Sequence, residues 1–120
     1  MCYYSIMKEK LIMNLEILGE VWAIKLSDEM NDSRLIGNDG YCDDSTREIV
    51  LNKLNENDPH SLSDLNSYAR RVVRHEIIHA VLSESGLKSE SWGRNEEIVD
   101  WIANQFPKLY TLFEQAQCTT

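Results

Sequence analysis

The sequence predicts one small α+β domain, in which a sheet built from hairpins precedes two or three helices. Strand-forming residues cluster between positions 15 and 52, where turn residues interrupt them at short intervals. From position 65 onward, apolar residues instead recur at helical spacing. A chain of 120 residues with 42% hydrophobic content is large enough for one core that needs no cross-links. The sheet is expected to be antiparallel or mixed and to pack on the first helix.

The composition argues against nucleic-acid and membrane partners. The net charge is −8 and the basic residues form no run, whereas a nucleic-acid surface needs clustered Lys and Arg. No segment approaches the apolar length that crosses a membrane. The cysteines stand at positions 2, 42 and 118, a spacing that indicates neither a disulfide framework nor a zinc ribbon. A reducing cytoplasm is the expected compartment, and the oligomeric state is left open.

Residues 1–12 are predicted to be a flexible extension, and residues 13–120 the single folded domain. Lys8, Glu9 and Lys10 lie where a secretory signal would need its apolar stretch. The pattern of a folded domain begins only after this extension. Secretion is therefore not expected.

Two β-hairpins are predicted ahead of the helices. Residues 15–26 form either a hairpin of two short strands or one strand with a bulge at Gly19. Residues 27–40 are polar and contain glycines, as expected of a loop. Beyond that loop, the segments Tyr41–Asp43 and Arg47–Asn52 flank a run of turn residues and form the second hairpin.

A long helix is predicted over residues 64–86, with Ser63 as its N-cap. Apolar residues surround it on nearly every side over residues 72–82, so it is expected to be buried. A second helix is predicted over residues 95–106. Pro107 then opens a third, C-terminal helix at its first turn, the alternative being a kink in the second helix.

The pair His75 and His79, on the first helix, is the feature on which the functional prediction rests. Because a helix turns about 100° per residue, residues four apart lie roughly 40° apart on one face. Two imidazoles at this spacing can bind one metal ion, while Glu76 is turned toward a water at that ion rather than toward the ion. Two histidines and a glutamate in an apolar helix also need a partner that offsets their desolvation. A zinc ion meets that need, and Glu76 is predicted to be the general base.

The third ligand is predicted to be Glu96, in the second helix. Glu96 and Asp100 are four residues apart and share a face. Glu96 can therefore bind the metal while Asp100 accepts a hydrogen bond from the outer nitrogen of a ligand histidine. Glu97 lies about 100° away and stays the alternative. Three protein ligands and one open position are typical of a catalytic zinc rather than a structural one.

Other candidates for the third ligand fit less well. Glu84 is on the helix of the histidines but points about 140° away from His79. In a different known arrangement of zinc ligands, a third histidine follows the second one by six residues, but position 85 is a serine here. His60 lies in a predicted loop and is expected to face solvent or the entrance of the site. Cys42 is expected to be a partly buried thiol.

These residues resemble a known zinc-peptidase pattern. His-Glu-x-x-His at 75–79, followed by Asn-Glu-x-x-x-Asp at 95–100, is similar to the gluzincin pattern of thermolysin-type peptidases. The order of strands, motif helix and glutamate helix also resembles the small ImmA/IrrE-like metallopeptidases of bacteria and phages. The resemblance implies a zincin-like fold with His75, His79 and Glu96 as zinc ligands, Glu76 as general base and Asp100 as a hydrogen-bond partner.

The resemblance further implies zinc-dependent hydrolysis of peptide bonds in a specific partner protein, with a regulator as the first substrate to consider. It also implies that the strand near Arg47–Asn52 pairs with extended substrate. No histidine follows His79, so another group must stabilise the oxyanion, and Tyr41, Tyr68 and Tyr110 are the candidates. The alternatives are a zinc-bearing module that binds a partner without cutting it, and an inactive phage protein that retains the fold.

Overall fold

The computed structural model describes residues 9–53, 65–87 and 94–120. In chain order the elements are β1 (Lys10–Ile17), β2 (Glu20–Ser27), a short 3-10 helix (Ser33–Leu35), β3 (Gly40–Asp43), β4 (Glu48–Asn52), α1 (Leu65–Glu84) and α2 (Glu96–Gln115). Strands precede helices, which confirms the predicted α+β class. None of the helices described is long and apolar enough to cross a bilayer.

Some predictions concern parts of the chain that lie outside the described residues. These are the cap at Ser63, the position of His60 and most of the extension predicted for residues 1–12. Residues 10–12 are described, and they belong to β1 rather than to an extension.

The four strands form one mixed sheet in the order β1-β2-β4-β3. β1 and β2 are antiparallel, as are β3 and β4, while β2 and β4 are parallel. β2 and β4 run the same way because a single strand of opposite direction, β3, separates them along the chain. β4 is therefore an interior strand with both edges occupied. The prediction that this strand, near Arg47–Asn52, pairs with substrate is wrong, because the edge strand of this hairpin is β3.

Both predicted hairpins are confirmed. The first turns at Leu18 and Gly19, whose φ angles are both positive, 48° and 87°. A two-residue turn of this kind matches the right-handed twist of the strands, and glycine adopts its second position without strain. The irregularity in β1 lies between Leu11 and Met13 rather than at Gly19.

The core lies between one face of the sheet and α1. Four large side chains point inward from the two interior strands: Trp22, Ile24, Ile49 and Leu51. They pack against Ala80 of α1, which is fully buried. The indole nitrogen of Trp22 also donates to Glu84 at the end of α1, over 2.9 Å. Glu84 thus points into this contact and away from the histidines, as predicted.

α1 is less buried than the sequence predicted. Among its described side chains only Glu76 and Ala80 are fully buried. The side chains of His75 and His79 stay 19% and 21% exposed. Of the described elements, the sheet covers this helix on one side and α2 covers it on the next. The histidines lie at the contact with α2, which covers them only in part.

α2 continues through Pro107 to Gln115, so the prediction of a separate third helix is wrong. Within a helix, proline has no N–H to donate to the carbonyl four residues earlier. Here that carbonyl belongs to Ala103, and Nε of Arg74 in α1 donates to it over 2.7 Å. A bond from the neighbouring helix therefore replaces the one that proline removes.

Candidate metal centre

The two helices bring the predicted site residues together along one antiparallel interface. Their contacts run in opposite directions on the two helices: residue 71 meets 104, residue 75 meets 100 and residue 79 meets 96. Each step is about one helical turn, so the side chains on these rows face each other. Asn95 caps α2 by accepting hydrogen bonds from the N–H groups of residues 97 and 98, which fixes where the helix begins.

Three possible ligand atoms converge on one point. Nε2 of His75 lies 3.1 Å from Nε2 of His79, and Oε2 of Glu96 lies 3.1 Å and 3.2 Å from these two nitrogens. Bonds of about 2.0–2.1 Å to a tetrahedral zinc place any two ligand atoms roughly 3.3–3.4 Å apart. The observed triangle is close to one face of such a tetrahedron. These three residues form a group that can hold a metal ion.

Glu96, and not Glu97, belongs to this group. The side chain of Glu97 is exposed, and its backbone N–H is bonded to the cap Asn95. Both carboxylates lie in the first turn of α2, where the helix dipole favours negative charge. The dipole therefore accommodates either residue, and the rotation of α2 against α1 decides which one reaches the histidines.

Asp100 lies on the far side of the His75 ring. Its Oδ1 is 2.7 Å from Nδ1 of His75, a length suited to an N–H donating to a carboxylate. With the proton held on Nδ1, the lone pair of a neutral His75 is on Nε2 and points at the convergence point. Such an arrangement orients a metal-binding histidine.

Glu76 is the buried member of the site, with 6% of its surface exposed. Burial raises the pKa of its carboxyl to about 7; nearby His75 opposes the rise, and the negative charges of Glu96 and Asp100 add to it. Strand β3 lies directly against this side chain at Gly40. A Cβ there would stand 3.4 Å from Cγ of Glu76 and 3.0 Å from the carbonyl oxygen of Val50. Glycine thus permits the close approach of β3 to the site.

A cleft passes over these residues. On one side of His75 is a cavity of about 510 Å³, which the side chains of Glu76, His79, Glu96 and Arg94 line. On the other side is a cavity of about 360 Å³, bordered by Tyr68, Arg71, Asp100 and Asn104. Both cavities share Asn38, Gly40, His75 and Glu76, so the cleft runs past the convergence point in two directions.

Arg94 lies at the site but was not among the residues that the sequence predicted for it. It forms no ion pair within the described part of the chain, and it is the cation among the residues that line the larger cavity. The residue stands two positions before Glu96, in a loop without periodicity. Its proximity to Glu96 along the chain was the only signal in the sequence.

Tyr41 and Tyr68 line the cleft, but their hydroxyls are hydrogen-bonded to residues outside the group of ligand atoms. The Tyr41 hydroxyl donates to Asp32 and accepts from Arg34, and the Tyr68 hydroxyl donates to Asp39. Tyr110 is exposed on the distal half of α2, beside Phe106. Cys42 is a partly buried thiol, as predicted, and burial raises its pKa to about 12. It does not belong to the group of residues that can hold a metal ion.

Comparisons with family profiles, with curated proteins and with solved structures find no match to this chain. The resemblance to gluzincins therefore stands on the residues of the two motifs. Any assignment of function depends on the geometry of those residues.

Proposed function

We propose that this protein is a zincin-like zinc peptidase that hydrolyses peptide bonds within a partner protein. One observation carries the proposal: the two histidine nitrogens and the Glu96 oxygen converge within 3.1–3.2 Å of one another. Two imidazole nitrogens and one carboxylate oxygen form a donor set that suits zinc, and three protein ligands leave a position for water. When bound, zinc supplies a water with a pKa of about 7 and a Lewis acid for the scissile carbonyl.

Glu76 is proposed as the general base. It takes a proton from the attacking water, whose oxygen forms a bond to the carbonyl carbon. As the C–N bond breaks, the same carboxyl gives that proton to the leaving amine. The position of Glu76 supports this role, because the residue lines the same cavity as the ligand atoms but does not belong to the group that can hold the ion.

Arg94 is proposed to stabilise the negative charge that develops on the carbonyl oxygen. Hydrolysis of an amide creates an oxyanion, and a donor aimed at it lowers the barrier. Tyr41 and Tyr68 also line the cleft, but their hydroxyls donate to Asp32 and Asp39, whereas Arg94 lines the larger cavity without an ion-pair partner among the described residues. Its guanidinium presents five N–H donors and stays charged at any working pH.

The substrate is proposed to bind as an extended strand along β3. β3 pairs with β4 on one edge, and its backbone is unpaired by any described strand on the other. An edge of this kind can add a peptide through main-chain hydrogen bonds. The cleft continues on both sides of His75, which suits a chain that passes through rather than one that ends there. By resemblance, a regulatory protein in the cytoplasm is the first substrate to test, and a phage origin is the first to consider.

A second candidate is a zinc-bearing module that binds a protein segment without cutting it. The observation that favours it is that no described tyrosine offers a free hydroxyl beside the convergence point. If Arg94 does not act on the carbonyl, the same residues would bind zinc and an extended peptide only. An inactive protein that retains the fold would bind no metal.

Elemental analysis and a cleavage assay test the proposal together. Protein purified without chelator should contain one zinc per chain, and the zinc-loaded form should cleave members of a mixed peptide library. Glu76→Gln is the matched control, because it should retain zinc and lose cleavage. Zinc without cleavage in either protein would favour the binding module. A folded protein that takes up no zinc would contradict both candidates.

A further inference from the structure

We propose that Arg74 is a positioning residue of this metal centre. Arg74 donates to the Ala103 carbonyl, which Pro107 leaves without a helical donor. This bond helps to hold α2 at the position along its axis where Glu96 and Asp100 face the histidines. The inference rests on the proposed zinc site and explains how the chain fixes the third ligand. The inference connects Arg74, Pro107 and Glu96, which no pattern in the sequence relates to one another.

Pro107 leaves the Ala103 carbonyl without its helical hydrogen-bond donor. Ala103 is 1% exposed, so water has little access to its carbonyl once the helical donor is missing. A buried carbonyl left without a partner destabilises the fold, because its desolvation is not compensated. Nε of Arg74 donates to this carbonyl over 2.7 Å, and the positive charge of the guanidinium strengthens the hydrogen bond.

The bond lies beside the site. Arg74 immediately precedes His75, and Ala103 follows Asp100 by three residues, about one turn. Of the described hydrogen bonds between the helices, this one ends on a backbone atom, whereas the others join side chains. Because the acceptor is a backbone carbonyl, the bond from Arg74 acts on α2 itself rather than on one of its side chains.

Small displacements of α2 matter for metal binding. One residue along a helix is about 1.5 Å, whereas ligand distances in a metal site hold to about ±0.2 Å. Glu96 is 65% exposed at its side chain, and the sheet does not restrain it. The restraint on Glu96 therefore comes from the placement of its helix, which Arg74 helps to set.

A pair of variants separates positioning from mere support of the helix. Arg74→Ala leaves the Ala103 carbonyl without a donor, and should reduce both the free energy of unfolding and the zinc affinity. In Arg74→Ala/Pro107→Ala, the new N–H at position 107 serves that carbonyl within α2. This double variant should regain the wild-type free energy of unfolding, yet bind zinc about 10-fold more weakly, the low end of losses for groups behind a ligand.

Zinc affinity is measured by competition with a chromophoric chelator, and the free energy of unfolding by urea titration of the metal-free proteins. Arg70→Ala is the control, since Arg70 is an exposed arginine on the same helix that lines neither part of the cleft. If the double variant regains wild-type zinc affinity together with its stability, Arg74 only supports the helix and the inference fails. If the wild type itself binds no zinc, both the proposed function and this inference are wrong.

Discussion

Two polar clusters lie on opposite faces of β3, and they differ in how their charges are balanced. On the outer face, Arg34 pairs with Asp43 over 3.0 Å, lies 3.6 Å from Asp32, and stacks over the Tyr41 ring at 4.1 Å. A cation there sits between two carboxylates, and the hydroxyl of Tyr41 bridges to one of them. The charges of the outer cluster are thus paired within the cluster.

The inner cluster gathers charge of one sign. Glu76, Glu96 and Asp100 surround two imidazoles, and no described Lys or Arg forms an ion pair with any of the three carboxylates. Like charges brought close together, one of them buried, are unfavourable without a cation. The outer cluster balances its charges internally, whereas the inner cluster contains a group of three residues that could hold a metal ion.

The largest effect is expected from removing the third ligand. Glu96→Ala should weaken zinc binding by more than about 100-fold, because a bond to the metal is lost, while Asp100→Ala should cost about 10–100-fold. Glu97→Ala should change the affinity least, since its side chain is outside the group. Chelator competition across the three variants gives the order. If Glu97→Ala proves the most damaging, α2 is rotated from its orientation in the structure and the contrast between the clusters loses its basis.

A smaller loss is expected at Arg94, in turnover rather than in metal binding. Arg94→Ala should reduce kcat on a cleaved library peptide by about 100–1,000-fold, as removal of one oxyanion donor does, with zinc affinity and KM little changed. Arg70→Ala again serves as the exposed control. A rise in KM at constant kcat would show that Arg94 holds a charged group of the substrate instead.

The smallest effect is expected on the outer face. Asp43→Asn removes a charge from the pair with Arg34 but keeps an acceptor for the N–H of Ser45. The free energy of unfolding at neutral pH should fall by up to about 1 kcal/mol, typical of exposed ion pairs. Zinc affinity should not change. A large change in zinc affinity would mean that the two faces of β3 are coupled and that the outer cluster is not purely structural.

The same variant should also change how stability depends on pH. Hydrogen bonds from Ser45, and then from Arg34, hold the pKa of Asp43 at about 2, below its ordinary 3.8. A carboxyl with a lowered folded pKa stabilises the fold above its unfolded pKa, and that contribution is lost as the pH falls through the folded pKa. The difference between wild type and Asp43→Asn should thus be largest at neutral pH and disappear only below about pH 2. Urea titrations at several pH values measure it.

Local patterns carried much of what the sequence predicted. Gly19 and the turn residues before Arg47 marked both hairpins, because turn chemistry depends on a few neighbouring residues. The four-residue spacings of His75 with His79 and of Glu96 with Asp100 predicted shared faces, because helical periodicity is local as well. The structure places both pairs at one interface.

Contacts between distant segments decided the rest. The interior position of β4 depends on which strands pair, and the strand sequences alone fit more than one order. The exposure of α1 depends on how far its neighbours cover it, and the presence of Arg94 at the larger cavity depends on how α2 is placed against α1. Pro107 is the clearest case. By itself it predicts a helix end, and only the approach of Arg74 to the Ala103 carbonyl supplies the hydrogen bond that lets α2 continue.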